Sequence, residues 1–128
     1  MKEKLLELHK KSYAPYSNFF VSAVVVCSDG KEFNGVNVEN ASYGACICAE
    51  RSAILSAVSA GYRKGQFKEL NVMVSSGKIG MPCFACRQVI SEFFEKDAIV
   101  RVWATTGEYV EHTVKELCPY PFDSEDLK

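Results

Sequence analysis

The sequence predicts an α/β fold, a sheet covered by helices, and three observations point to it. Runs rich in β-branched residues alternate with stretches of helical periodicity. Ser28-Asp29-Gly30-Lys31 separates two strand-like runs and marks a hairpin turn, because glycine tolerates a positive φ. The 128 residues, 48% hydrophobic and 24% charged, have the composition of one folded domain without linker, repeat or low-complexity tract.

Each element follows in order. Residues 1–13 place Leu5, Leu8 and Tyr13 on one helical stripe, and Ala14-Pro15-Tyr16-Ser17-Asn18 breaks it. Residues 19–27 are nearly continuously apolar and read as a buried strand, with 32–38 returning as its hairpin partner. Residues 40–44 are loop-like. Ala, Ile, Leu and Val dominate a mostly buried helix over 48–60, with Gly61 as its C-cap. Residues 70–74 form a third strand, and Pro82 precedes a helix over 83–95. Strands over 99–104 and 109–114 flank Gly107, and a short helix over 114–118 is stopped by Pro119 and Pro121. This order predicts a sheet that is largely parallel after the first hairpin.

Composition excludes several function classes. Fifteen Lys+Arg against 16 Asp+Glu give a net charge of −1, without the basic excess of a general nucleic-acid binder. No apolar run approaches the roughly 18 residues of a membrane span. Met1-Lys2-Glu3-Lys4 leads into no long apolar stretch of the signal-peptide kind. The expected location is the cytoplasm, where disulfides rarely persist, so six cysteines require another explanation.

Two segments offer one. Cys46-Ile47-Cys48-Ala49-Glu50-Arg51 and Pro82-Cys83-Phe84-Ala85-Cys86-Arg87 each put cysteine at a helix start, where free N–H groups and the dipole favour the thiolate. Cys48, Cys83 and Cys86 could share one Zn²⁺, with a fourth position left for a water acidified toward neutrality. Glu50 could take that water's proton and pass it to a substrate. Arg51 and Arg87, beside the ligands, could offset the negative charge of three thiolates. Taken singly, the parts have ordinary readings. A lone Cys-x-x-Cys serves redox proteins and structural zinc sites alike, and an isolated Glu50 is a helix N-terminal carboxylate. Cys27 and Cys118 read as core fillers. Cys46 is ambiguous, and His9 and His112 are expected on solvated faces.

Cys-x-Glu followed by Pro-Cys-x-x-Cys resembles the zinc-dependent deaminase signature, in which the Glu is not a metal ligand. The likeness extends further. Ala14-Pro15-Tyr16-Ser17-Asn18-Phe19, Asn37-Val38-Glu39-Asn40-Ala41-Ser42-Tyr43-Gly44, the two cysteine segments and Glu116-Leu117-Cys118-Pro119-Tyr120-Pro121-Phe122 look like the small homotetrameric cytidine deaminases. The matches run from Ala14 to about Leu127 in the family's order. The resemblance implies a three-layer α-β-α fold around a five-stranded mixed sheet with an N-terminal antiparallel hairpin. It implies hydrolysis of cytidine and deoxycytidine to uridine and deoxyuridine with release of ammonia, as in pyrimidine salvage. It implies one zinc per chain on Cys48, Cys83 and Cys86, with Glu50 as proton shuttle. By the same resemblance, the Ala49 N–H would hold the base carbonyl and the Met81 carbonyl would accept from the leaving amine. Phe19 would pack on the base, and Asn37 and Glu39 would bind the ribose 3′-hydroxyl. Ala41, Tyr43 and Phe122 would reach a neighbouring subunit's pocket in a homotetramer.

The chain departs from that pattern where Phe84 replaces the usual Gly, Phe20 and Ser22 replace Pro and Gly, and Cys118 stands for Leu. The competing readings are a deaminase of a modified cytosine nucleoside such as blasticidin S, an editing deaminase acting on a polymer, a zinc-stabilised binding module and a thiol redox protein. The Asn37-Val38-Glu39-Asn40 stretch favours an ordinary sugar, and the charge balance disfavours a polymer. The redox reading leaves Cys48 and Glu50 without a task.

Overall fold

The computed structural model describes residues 1–128. Its elements run α1 (Lys2–His9), β1 (Val21–Cys27), β2 (Glu32–Val36), α2 (Ala49–Ser59), β3 (Phe67–Val74), α3 (Phe84–Phe93), β4 (Phe94–Trp103), β5 (Tyr109–Thr113) and α4 (Val114–Leu117). Five strands form one sheet in the order β2-β1-β3-β4-β5.

Alternation along the strands divides the apolar residues between two layers. Ala23, Val25 and Cys27 of β1, Leu70 and Val72 of β3, and Val100 and Val102 of β4 face one way. There they bury against Ala53, Ile54 and Ala57 of α2, Ile90 of α3, and Val114 and Leu117 of α4. Val24 and Met73 face the other way, under Leu5 and Leu8 of α1. Strands β1 and β3 are thus covered on both faces, which explains their unbroken apolar runs. Ser22 is fully buried, and its hydroxyl donates to the Leu5 carbonyl at 2.8 Å. A buried hydrogen bond of this kind contributes about 1 kcal/mol and fastens α1 to β1. His9 does the same at the other end of α1. Its Nε2 lies 3.0 Å from the Met73 carbonyl oxygen, so the residue is half-buried and not on the solvated face expected of it.

The expectation of a largely parallel sheet is corrected. Only β3 and β4 pair in parallel. Strands β1 and β3 are antiparallel, as are β4 and β5. The reason is in the connections. Because β2 turns back along β1, the helix α2 that follows returns the chain to run β3 in the direction of β2, yet β3 docks on the far side of β1. Between β4 and β5 there is only a tight turn, with Gly107 at φ +100°, and a turn so short joins antiparallel strands alone. Helix α3 is the one crossover between neighbouring strands.

One contact sets the height of α2 above the sheet. A Cβ on Gly35 would lie 2.3 Å from the Ala49 carbonyl oxygen and 2.4 Å from the Ala53 nitrogen. The first turn of α2 therefore rests on bare β2 backbone, and a glycine inside a strand is the residue that permits it. Gly35→Ala is expected to lower the free energy of unfolding by about 3 kcal/mol, read as a lower urea midpoint at unchanged slope.

Candidate active site

Two helix N-termini meet beside β1 and β3. Cys48 is the N-cap of α2, with φ −75° and ψ 154°, and Cys83 is the N-cap of α3, with φ −69° and ψ 166°. Neither helix has a side-chain cap, so the amides of both first turns are free to favour negative charge on sulfur. Cys86 lies one turn into α3 and is fully buried. The three sulfurs lie within 4.8 Å of one another, and those of Cys83 and Cys86 are 3.6 Å apart. A tetrahedral zinc with bonds of about 2.3 Å sets its sulfurs roughly 3.8 Å apart, so this donor set fits one zinc.

The charge around the sulfurs is arranged to match. Arg51 donates from Nη2 to the Cys48 sulfur at 3.5 Å. Its Nε is buried without a partner, an unused donor beside the thiolates. The Cys86 thiol and Arg51 hold Cys48 down at about 5, while the Cys48 hydrogen bond and burial push Cys86 up. Arg87 does not share the task foreseen for it. Its Nε donates to the Pro82 carbonyl at 2.9 Å and its Nη1 to the Leu117 carbonyl at 3.2 Å. Its guanidinium also stacks 4.6 Å from the Phe84 ring centroid. Arg87 therefore ties α3 to α4 and braces the backbone before Cys83.

Glu50, in the first turn of α2, is only 5% exposed. Burial raises its carboxyl to about 7 against the opposing hydrogen bond of its own backbone N–H. A carboxyl in that range can both take and give a proton near neutrality. It faces a cavity of about 370 Å³, lined also by Phe19, Asn37, Glu39, Met81, Cys48 and Cys83. That is within the usual size of a small-molecule site. Ala49 is fully buried behind it, and as the first residue of α2 its N–H has no acceptor within the helix.

Asn37 and Glu39 lie just beyond β2, on either side of an isolated bridge through Val38. The other foreseen residues lie outside this cavity. Tyr43 is 79% exposed and lines an adjoining space of about 180 Å³ with Tyr16 and Asn40, and Ala41 is exposed beside it. Phe122 is 57% exposed and lines a groove over α3. Phe84 points to solvent at 78% exposure, so its bulk does not narrow the cavity. Cys27 is fully buried in the main core, and Cys118 packs against it with its thiol directed at the Arg87 carbonyl. Cys46 is no member of the sulfur cluster; its sulfur accepts from the Asn40 N–H at 3.3 Å at the cavity wall. His112 is half-buried, with Nδ1 3.8 Å from a Glu116 oxygen.

Sequence reasoning passed over Gly35, gave Ser17 no role beyond its place in a matching segment, and left Cys46 ambiguous. The first had a signal, a glycine inside a strand pattern. The other two had none, because nothing local marks a residue that lines a cavity through loop packing.

The family model described as "Cytidine and deoxycytidylate deaminase zinc-binding region" matches residues 1–102. A cytidine deaminase of Sporosarcina psychrophila is 42% identical over 129 residues, covering 98% of this chain and 93% of that protein. A probable cytidine deaminase of Dictyostelium discoideum is 43% identical over 119 residues, covering 91% of this chain and 77% of its own. The crystal structure of cytidine deaminase from Burkholderia pseudomallei superposes with a TM-score of 0.89 at 44% identity, covering 94% of each chain.

Replacing Cys48, Cys83 or Cys86 by Ala is expected to abolish stoichiometric zinc, measured by atomic absorption after desalting. Arg51→Gln is expected to weaken zinc at least about tenfold in a chelator competition. Unaltered affinity would mean that its hydrogen bond to sulfur does not tune the metal.

Proposed function

The chain belongs to the cytidine and deoxycytidylate deaminase zinc-binding family, and from that premise we propose how its residues divide the work. Its reaction is the hydrolytic deamination of cytidine and deoxycytidine to uridine and deoxyuridine, and its cofactor is zinc. The observation that carries the assignment of roles is a cluster of three sulfurs, two of which, Cys48 and Cys83, line one cavity together with the buried carboxyl of Glu50.

Cys48, Cys83 and Cys86 would hold one zinc, which would supply a Lewis acid that lowers the pKa of a water. Glu50 takes a proton from the attacking water and delivers it to N3 of the pyrimidine, which makes C4 electrophilic as the oxygen arrives. A bond forms between the water oxygen and C4. Glu50 then carries the water's second proton to the amino group, and the C4–N bond breaks to release ammonia. The product keeps one proton on N3, and protons and electrons balance. Burial of Glu50 raises its carboxyl, which suits it to carry a proton in both transfers.

The remaining residues hold the nucleoside. The Ala49 N–H donates to the base carbonyl, and its position at the start of α2 supports this. The Met81 carbonyl accepts from the leaving amine. Phe19, 38% exposed at the cavity wall, packs on the base. Asn37 and Glu39 bind a sugar hydroxyl. Arg51 donates to the ligand sulfur. We read residues 1–128 as a single deaminase domain that works in the cytoplasm, supported there by six free cysteines. No helix is long and apolar enough to cross a membrane. A homotetramer would cover the aromatic surface around the cavity, with Ala41, Tyr43 and Phe122 lent to a neighbour's pocket. The exposure of Tyr43 and Phe122 supports this arrangement.

An ultraviolet assay of cytidine loss on protein of measured zinc content tests these roles. Glu50→Gln is expected to lower kcat roughly a thousandfold while one zinc per chain is kept. Zinc-loaded protein that converts neither nucleoside would overturn the reading. Sedimentation velocity should give a tetramer; an active monomer would contradict the shared pockets.

A further inference from the structure

The two residues read as sugar ligands already hold the chain's own loop. The Glu39 Oε1 accepts from the backbone N–H of Tyr16 at 3.0 Å and of Ser17 at 3.1 Å. Its Oε2 accepts from the Ser17 hydroxyl, which in turn accepts from the Phe19 N–H at 3.0 Å. Asn37 accepts from the Val21 N–H at 2.9 Å and donates from Nδ2 to the Phe19 carbonyl at 2.7 Å. Between them Asn18 adopts φ +56°, a left-handed conformation that asparagine tolerates. The loop that presents Phe19 is therefore fastened at both ends by Asn37 and Glu39.

Counting valences shows what is left for a ligand. A carboxylate has about four acceptor sites, and three on Glu39 are taken. An amide has two donors and two acceptor sites, and Asn37 has one side-chain donor and one acceptor used. One sugar hydroxyl can donate to the last site on Glu39 and accept the spare N–H of Asn37. A second hydroxyl reaching Glu39 would have to displace a loop bond, and the side-chain bond from Ser17 is the one that could be given up.

We propose that Ser17 is a specificity-determining residue: its hydroxyl occupies the Glu39 oxygen that a second sugar hydroxyl would use, and so makes the site indifferent to ribose or deoxyribose. This rests on the deaminase reading above and on the sugar lying against Glu39. Ser17 lines the cavity with Glu39, and its hydroxyl, bonded to Glu39, competes with the sugar for that carboxylate. The 2′-hydroxyl then finds no free acceptor on Glu39 and adds nothing to binding.

The test measures kcat/KM for cytidine and 2′-deoxycytidine with zinc-loaded wild type, Ser17→Ala and Ser17→Thr. Wild type should treat the two within about threefold. Ser17→Ala, which frees the site on Glu39, should shift the ratio toward cytidine by about tenfold, as for a hydrogen bond to a charged group. Ser17→Thr keeps the hydroxyl and should restore the wild-type ratio. A merely structural role would lower both values together, and an unchanged ratio in Ser17→Ala overturns the proposal. A wild-type preference for cytidine above tenfold overturns it without any variant. Wild type inactive on both nucleosides would remove the deaminase reading and this inference with it.

Discussion

The approach of α2 to bare backbone at Gly35 governs the rest of the molecule. A side chain there would stand 2.3 Å from the Ala49 carbonyl oxygen, and Ala49 lies between Cys48 and Glu50. The height of α2 above β2 thus fixes one metal ligand and the catalytic carboxyl together. It also decides how deeply Glu50 is buried, and burial is what lifts its carboxyl. Packing in a strand interior and proton affinity in the site are two readings of the same spacing.

Around this contact the charges are few and paired with care. Three thiolates on a dication would leave one net negative charge, and a buried carboxyl beside them would add another. Arg51, with one donor on the Cys48 sulfur and a second buried beside it, supplies the offset from the same helix turn. Arg87, beside Cys86 in sequence, spends its donors on the Pro82 and Leu117 carbonyls instead. The difference is one of direction. Arg51 leaves α2 toward the sulfurs, whereas Arg87 leaves α3 toward α4 and Phe84.

The cysteine pattern was legible because metal ligation constrains residue type and spacing within one helical turn. The strands were legible where both faces are covered, as in the Val24-Val25 and Val72-Met73 runs. Strand direction was less so, because it depends on which side of β1 the third strand docks, a choice that no local pattern carries. The starts of β3 and β4 were also missed. Phe67 and Phe94 extend these strands by packing against each other at 5.2 Å between ring centroids. Asn37 and Glu39 were picked out by resemblance, but their hold on the loop from Tyr16 to Val21 is long-range and invisible in sequence. His9 looked solvated for the same reason: its partner, the Met73 carbonyl, lies 64 residues away.

The open sheet has two borders, and they differ from the cavity rim. Strand β5 presents Glu111 and His112, with Glu111 paired to Arg101, while β2 begins at Glu32, paired to Lys4. Charged, short edge strands are poor templates for a second sheet. The rim of the cavity instead exposes Phe19 and Met81, with Tyr43 exposed on the adjoining space. The charges on these borders disfavour edge-to-edge pairing, while the rim offers apolar area for close packing. Charge on the strand borders thus favours colloidal stability, while exposed aromatic side chains gather both at the cavity rim and in the groove over α3.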